Sequence, residues 1–476
     1  MPSRTVLLLA AVCVCVGVWG SISTHTPPPL IVILLDGVRW DYVSIHRGDG
    51  LPGFERFFSQ GAAAQYVNPV FPTNSFPNWH TIVTGLYPES HGILGNYFYD
   101  VKAPKVFSID DLEGVKDPAW WSDAEPFWIT ATKSSLQTAL FLWSRCDVPW
   151  DGDVLPRHCE PFRFAAPNTD NMARNFRQAV DMIQKQGYSL AMVYDGILDT
   201  QGHSFGPVSS EVAAAVRETD AALQQLWGDL SERDLIDKVN VVLVSDHGMA
   251  WTGQRMVQEL DVVTCLDEFQ VEKVVEYGGY INIQPRAGYA MAVMESLRRC
   301  PTVGENVDVF LKKDVPEAFH YKAHRLILEI VVIAKEGYMI RPPQTPYSVP
   351  ESAGSYEGNH GFDNTNGRNP DMRAVLYAVG PYFAQGVRAG VVEQVDVYNL
   401  LCRSLHLQCH ANNGTLAHVE PFFRPGVPLQ SDASFRHGVP LGALMLVASA
   451  LLFPLTGGGG AAMFPWHHRF THFPLI

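Results

Sequence analysis

Positive charge is scarce in this chain: 35 lysines and arginines stand against 49 aspartates and glutamates, a net charge of −14 over 476 residues. That balance excludes a nucleic-acid polymer as the partner, because no basic field is present to displace counterions from a phosphate backbone. A cationic substrate remains compatible, and an acidic surface would steer one inward. Internal repeats are absent, and Gly457 to Gly460 is the one low-complexity patch. Cysteine is sparse too, with eight in all, of which Cys13 and Cys15 lie in the N-terminal apolar run and six remain beyond it. Apolar residues are not lacking: a hydrophobic fraction of 47% supports a large buried core and argues against disorder. The length admits two or three average domains, or one large α/β domain with insertions.

Both ends are apolar. MPSRTVLLLAAVCVCVGVWGSIS has one arginine, then a run too short to span comfortably, ending in small residues that suit cleavage before Ser21. Residues 1–20 read as a secretory signal peptide. Secretion places the remaining cysteines in an oxidising compartment, so disulfides are expected rather than zinc ligation. Cys146 and Cys159 flank a short loop and form a good local pair, whereas the partners of Cys265, Cys300, Cys402 and Cys409 stay open. Asn413-Gly-Thr is the single glycosylation sequon and suits an exposed loop. Residues 426–476 read as a spacer followed by a hydrophobic anchor or anchor signal, with small residues around Ser431 to Ser434 and an apolar stretch at 438–455. A GPI anchor on the extracellular face of the cell membrane is the expectation, with a single spanning helix or plain secretion as alternatives. Oligomeric state is not legible.

Residues 28–425 alternate apolar strands with amphipathic helices. LIVILLDG is apolar throughout, as a buried parallel strand is. SSEVAAAVRETDAALQQLWGDL carries Val212, Val216, Leu223 and Trp227 on one face, with Ser209 or Ser210 as the cap, and predicts a helix leading into the strand VNVVLVS. The alternation predicts an α/β fold with a mostly parallel central sheet covered by helices on both faces. Residues 261–350 are less regular and read as an insertion that returns to the sheet before His360.

Ligands of such sheets bind at the carboxyl ends of the strands, where this chain places its chemistry. LIVILLD ends in Asp36, the Asp199-Thr-Gln-Gly-His203 loop follows LAMVYDGIL, VNVVLVS delivers Asp246 and His247, and His360 sits in GNHGFDN. Carboxylate oxygens mixed with imidazole nitrogens suit zinc better than magnesium or calcium. Each pair alone is ordinary polar surface; their joint occurrence is what points to an enzyme. Ser75, in FPTNSFPNWH, precedes a predicted helix. It reads either as that helix's N-cap or as a nucleophile activated by a metal and by the helix N-terminus, and the two roles are compatible.

The run Phe71-Pro-Thr-Asn-Ser75-Phe-Pro-Asn-Trp-His-Thr-Ile-Val-Thr-Gly, together with Leu35-Asp36-Gly37, Ser245-Asp246-His247-Gly248-Met249 and Asn359-His360-Gly361, resembles the ecto-nucleotide pyrophosphatase/phosphodiesterase family. The resemblance implies an alkaline-phosphatase-like fold and two Zn2+ ions. Asp36, Ser75, Asp246 and His247 would hold one, and Asp199, His203 and His360 the other. It also implies Ser75 as nucleophile, ahead of Thr73, through a phosphoryl-serine intermediate, with Asn96 contacting the phosphate. Serine in place of the family's usual threonine, Leu-Pro-Gly-Phe at 51–54 and Gly-Asn-Tyr at 95–97 are similar to the choline-specific glycerophosphodiesterase branch. That likeness implies hydrolysis of a small-molecule or lipid phosphodiester such as glycerophosphocholine or lysophosphatidylcholine, releasing phosphocholine. Tyr194 and Asp195 are candidates for the choline site, as are Tyr97 and Tyr99, since trimethylammonium is held by aromatic faces and a carboxylate. Gly206-Pro-Val-Ser-Ser-Glu-Val resembles the nucleotide-hydrolysing members instead, but those carry a lysine where Asn74 stands. A nucleotide pyrophosphatase is therefore the second expectation, and a silent ectodomain the third.

Overall fold

The computed structural model describes residues 26–163, 169–253, 257–350 and 356–428. The signal peptide and the C-terminal apolar stretch expected from the sequence lie outside them. Among the described residues no helix is long and apolar enough to cross a membrane.

Eight strands build the central sheet: β1 Leu30–Leu35, β2 Gly61–Ala63, β3 Thr138–Phe141, β4 His158–Glu160, β5 Leu190–Asp195, β6 Asn240–Val244, β7 Leu376–Val379 and β8 Val387–Arg388. Their order across the sheet is β8-β2-β7-β6-β1-β5-β3-β4. All neighbours run parallel except that β7 is antiparallel to both β2 and β6. β1 is central, with Leu30 opposite Leu190 on one side and Asn240 on the other. All six of its residues are buried, which is why its apolar character is continuous rather than alternating.

The pleat divides those side chains between two cores. Leu30, Val32 and Leu34 pack with Phe76, Trp79, Ile82 and Val83 of the Ser75–Thr84 helix. Ile31, Ile33 and Leu35 face Phe54 and Phe57 of the Pro52–Gln60 helix, and Phe176 and Leu223 of the Thr169–Gln186 and Ser210–Glu232 helices. Each such aliphatic chain contributes about 1.5–3 kcal/mol by leaving water. The Ser210–Glu232 helix buries Val212, Val216, Leu223 and Trp227 as expected, and Ser209 is the residue that caps it, accepting from the Val212 N–H.

The irregular stretch forms a separate five-stranded sheet, from Val271–Val275 to Ser348–Val349, around its own core of Val274, Ile281, Ile283, Leu297 and Ile330. It does not rejoin the central sheet before His360, as the sequence suggested. The chain instead makes a two-residue ladder, Gly358–Asn359 against Ala250–Trp251, and returns to the central sheet only at β7. Three disulfides, Cys146–Cys159, Cys265–Cys300 and Cys402–Cys409, are present, the last two pairings being ones the sequence left open.

Candidate active site

Asp36, Asp195 and the Asp246-His247 pair leave the carboxyl ends of β1, β5 and β6, which are adjacent in the sheet. Asp199 and His203 are not on a loop, as their glycine neighbour suggested, but on a helix, Ile197–Phe205. Four residues apart is one helical turn, so both side chains reach the same side, with His203 Nε2 3.4 Å from Asp199 Oδ1. Gly202 allows close approach: a Cβ there would come within 2.9 Å of the Met249 side chain. His360 follows the short ladder and brings its Nε2 to 3.7 Å from the same Asp199 oxygen.

The three histidines are oriented alike. His203 Nδ1 lies 2.8 Å from the Gly358 carbonyl, His247 Nδ1 2.9 Å from that of Gly248, and His360 Nδ1 3.0 Å from that of Thr73. A carbonyl only accepts, so each Nδ1 carries the proton and each Nε2 turns a lone pair inward. His247 and His360 stack with ring centroids 3.6 Å apart. Burial, and then the neighbouring His247 and His203, hold His360 well below the usual imidazole range. Burial, and then Asp246 and Asp199, push the Asp36 carboxyl well above the usual carboxylate range.

Several oxygens are already committed. Asp246 Oδ1 accepts from the Gly37 and His247 backbone N–H groups, and Oδ2 accepts from Trp79 Nε1 at 2.7 Å. Asp36 Oδ2 accepts from the Tyr194 hydroxyl at 2.6 Å. Oδ1 of Asp36 and Oδ1 of Asp199 are buried without any hydrogen-bond partner. Two groups of ligand atoms emerge, Asp199-His203-His360 and Asp36-Asp199-His247, each within 4.8 Å. Orphaned carboxylate oxygens facing unprotonated imidazole nitrogens fit divalent cations, which would relieve the repulsion raising Asp36. Asp246 Oδ2 is 3.3 Å from His247 Nε2, at the edge of the second group.

Ser75 is the first residue of its helix, and Asn74 takes the N-cap position. The Ser75 hydroxyl lies 3.2 Å from His247 Nε2 and, facing a lone pair, donates to it. Thr73 is turned away, its hydroxyl donating to the Phe362 carbonyl at 3.0 Å. Asn96 Oδ1 accepts from the Phe76 N–H at 3.1 Å, which holds its side chain at the start of the Ser75 helix.

Tyr194 does not offer an open aromatic face. Its hydroxyl is spent on Asp36, and its ring packs at 5.0 Å from Trp79 and 5.4 Å from Phe162. Asp195 accepts from the Ile197 N–H in its own turn, and burial pushes its carboxyl up to about 6. The aromatics that flank the cluster are others: Tyr356 lies 4.9 Å from His203 and neighbours Tyr277, which lies 6.2 Å from Tyr97. Glu276, Tyr277 and Tyr356 went unremarked in the sequence because they belong to no motif and arrive only through tertiary contact.

The profile of the family described as "Type I phosphodiesterase / nucleotide pyrophosphatase" matches residues 30–363. The chain belongs to that family. Among members similar to it is mouse (Mus musculus) bis(5'-adenosyl)-triphosphatase ENPP4, 31% identical over 418 residues that cover 85% of this chain and 83% of the relative. Bovine (Bos taurus) ectonucleotide pyrophosphatase/phosphodiesterase family member 3 is 31% identical over 84% of this chain, but only 45% of that relative is matched. Of solved structures, human ectonucleotide pyrophosphatase/phosphodiesterase 5 superposes with a TM-score of 0.74 at 28% identity, covering 83% of this chain and all of that one. An inactive form of the murine protein in complex with AMP gives 0.73 at 28% identity, with the same coverage. The alkaline-phosphatase-like architecture and the phosphodiesterase/pyrophosphatase class of this family member are thereby established.

Proposed function

We propose that the chain is an extracellular two-zinc phosphodiesterase acting on choline phosphodiesters, with Ser75 as nucleophile. The observation that carries the substrate class is electrostatic. Asn74, beside Ser75, is neutral and gives its amide to the buried Glu276. Among the described residues, no lysine or arginine bonds to Asp36, Ser75, Asp199, His203, Asp246, His247 or His360. Lysine and arginine are frequent partners of polyphosphates, whereas a choline phosphodiester brings one negative and one positive charge and asks less of such cations. The faces of Tyr277 and Tyr356, both partly exposed, and the Asp110 carboxylate bonded to Tyr97 at 2.9 Å suit a quaternary ammonium.

Asp36, Ser75, Asp246 and His247 would hold one zinc, and Asp199, His203 and His360 the other. Two such ions would supply Lewis-acid stabilisation of developing negative charge on phosphate. The Ser75 hydroxyl gives up its proton to solvent and its oxygen forms a bond to phosphorus as the phosphorus–oxygen bond to glycerol or monoacylglycerol breaks, the leaving oxygen taking up a proton from water. The helix N-terminus at Ser75 favours the developing negative charge. Asn96 Nδ2 donates to a non-bridging oxygen, and its own carbonyl, held by the Phe76 N–H, keeps that donor aimed. Water then cleaves the phosphocholine–serine ester and restores the hydroxyl. Three disulfides and an exposed Asn413 support an extracellular setting, and the apolar C-terminal stretch supports an anchor there.

A second reading, nucleotide hydrolysis, is favoured by the relative named for bis(5'-adenosyl)-triphosphatase activity. Purified protein assayed on glycerophosphocholine, nitrophenyl phosphocholine and a nitrophenyl nucleoside monophosphate separates the two. Turnover of both choline esters is expected; turnover confined to the nucleotide ester overturns the choline assignment and keeps the phosphodiesterase.

A further inference from the structure

The inserted sheet sends one charged side chain into the heart of this site. Glu276 directly follows the Val271–Val275 strand and is 2% exposed. Its backbone is in the left-handed region, φ 74°, which a non-glycine residue adopts only where its surroundings hold it there. One carboxylate oxygen, Oε1, gathers donors from two separate segments. It accepts from the Asn96 N–H at 2.5 Å, the Tyr97 N–H at 2.9 Å and Asn74 Nδ2 at 3.3 Å. The Tyr280 hydroxyl of the next strand, which donates to the Leu94 carbonyl at 3.2 Å, stands beside the same carboxylate. Burial pushes this carboxyl up to about 7, against the pull of the Tyr97 N–H and the other donors, so holding it ionised is disfavoured. Gly95 leaves it room: a Cβ there would stand 2.3 Å from Glu276 Oε1.

The two segments are the ones the chemistry needs in register. Asn74 precedes the attacking Ser75, and Asn96 carries the donor to the phosphate. Asn96 also accepts from Phe76, one residue beyond Ser75, so the carboxylate, Asn74, the helix start and Asn96 close a ring of hydrogen bonds.

We infer that Glu276 is a positioning residue for phosphoryl transfer, aligning the Asn96 donor with the Ser75 hydroxyl from the inserted sheet. The inference rests on the roles given to Ser75 and Asn96 above. It makes the inserted sheet part of the catalytic apparatus rather than an appendage beside it.

The test is a double-mutant cycle on the full chain, with nitrophenyl phosphocholine and nitrophenyl nucleoside monophosphate as probes and zinc content measured for every variant. Glu276→Ala should lower kcat by about 10²-fold on whichever ester the wild type turns over, as loss of an oxyanion donor does, with KM changed by less than ~3-fold and zinc retained. Adding Asn96→Ala should then cost little more, because both changes remove one donor. Glu276→Gln, which keeps an acceptor for the two backbone N–H groups, should recover most of the rate. Should the alanine variant fail to fold, Gly95→Ala, which drives a methyl into the carboxylate, takes its place in the cycle with the same expectation. Losses that multiply in the double variant, or a Glu276→Ala enzyme with wild-type kcat, overturn the inference and leave the functional reading intact. A wild-type chain inert on both esters, or undiminished by Ser75→Ala, refutes the functional reading and takes this inference with it.

Discussion

At the scale of single residues, the site is built from groups that would rather not be together. Three carboxylates and three imidazoles share a buried space, and the orphaned Oδ1 atoms of Asp36 and Asp199 mark where compensation is missing from the protein itself. Ser75→Ala should lower turnover by at least ~10³-fold while leaving bound zinc close to wild type, as measured by kinetics and metal analysis. Thr73→Ala, which removes a hydroxyl bonded to the Phe362 carbonyl, should leave most of the activity. Asp195 gives a pH-dependent stability effect. Burial raises its carboxyl from near 3.8 to about 6, so the folded state holds its proton more tightly than the unfolded one between those values. Stability is therefore lost as pH rises through that window, and the penalty is complete above it. Asp195→Asn keeps an acceptor for the Ile197 N–H and should gain about 1–2 kcal/mol at pH 8, shrinking toward zero near pH 4, by denaturant melts.

At the scale of elements, the site depends on close backbone approach between the Ile197–Phe205 helix and the Gly358–Asn359 ladder. A Cβ on Gly358 would meet the Gly202 carbonyl at 2.4 Å, a backbone atom that cannot swing aside. Gly358→Ala should push His203 and His360 apart, weakening zinc affinity by more than tenfold in a competition titration while the far-ultraviolet circular dichroism stays native. The inserted sheet is tied by Cys265–Cys300, which closes a loop of 35 residues. Replacing both with alanine should cost up to about 4 kcal/mol in the loop-entropy account. Hydrogen exchange should show the loss concentrated in residues 258–349, and activity should fall with it, since Glu276 reaches the site from there.

At the scale of the whole molecule, metal content and folding are expected to be linked. Ions that bind only the folded chain stabilise it by mass action, so chelation should abolish turnover and lower the melting temperature, and added zinc should restore both. A single exposed sequon at Asn413 predicts one N-glycan, read as one mass step on glycosidase treatment. The −14 charge predicts faster capture of a cationic than of an anionic substrate at low salt, with the difference fading as ionic strength rises.

Much of this protein could be read from the chain alone, because its strongest signals are local. Continuous apolar strands, a capped amphipathic helix and acidic residues at strand ends each depend on a few neighbouring positions. From these the sequence by itself determined the α/β class, the disulfide use of the cysteines, and Asp36, Ser75, Asp199, His203, Asp246, His247 and His360 as the set to watch. Only the tertiary structure decided how those residues meet. Spacing could not tell a loop from a helix at Asp199, since Gly202 breaks propensity but not packing. Nor could it tell that Tyr194 is consumed by Asp36, or that Glu276, 201 residues along the chain from Ser75, closes a ring of hydrogen bonds at the start of the Ser75 helix. Hydrogen bonds and burial between segments far apart in the chain leave no periodic trace, so the carboxylates and imidazoles that gather at the site were visible in the sequence and their supporting shell was not.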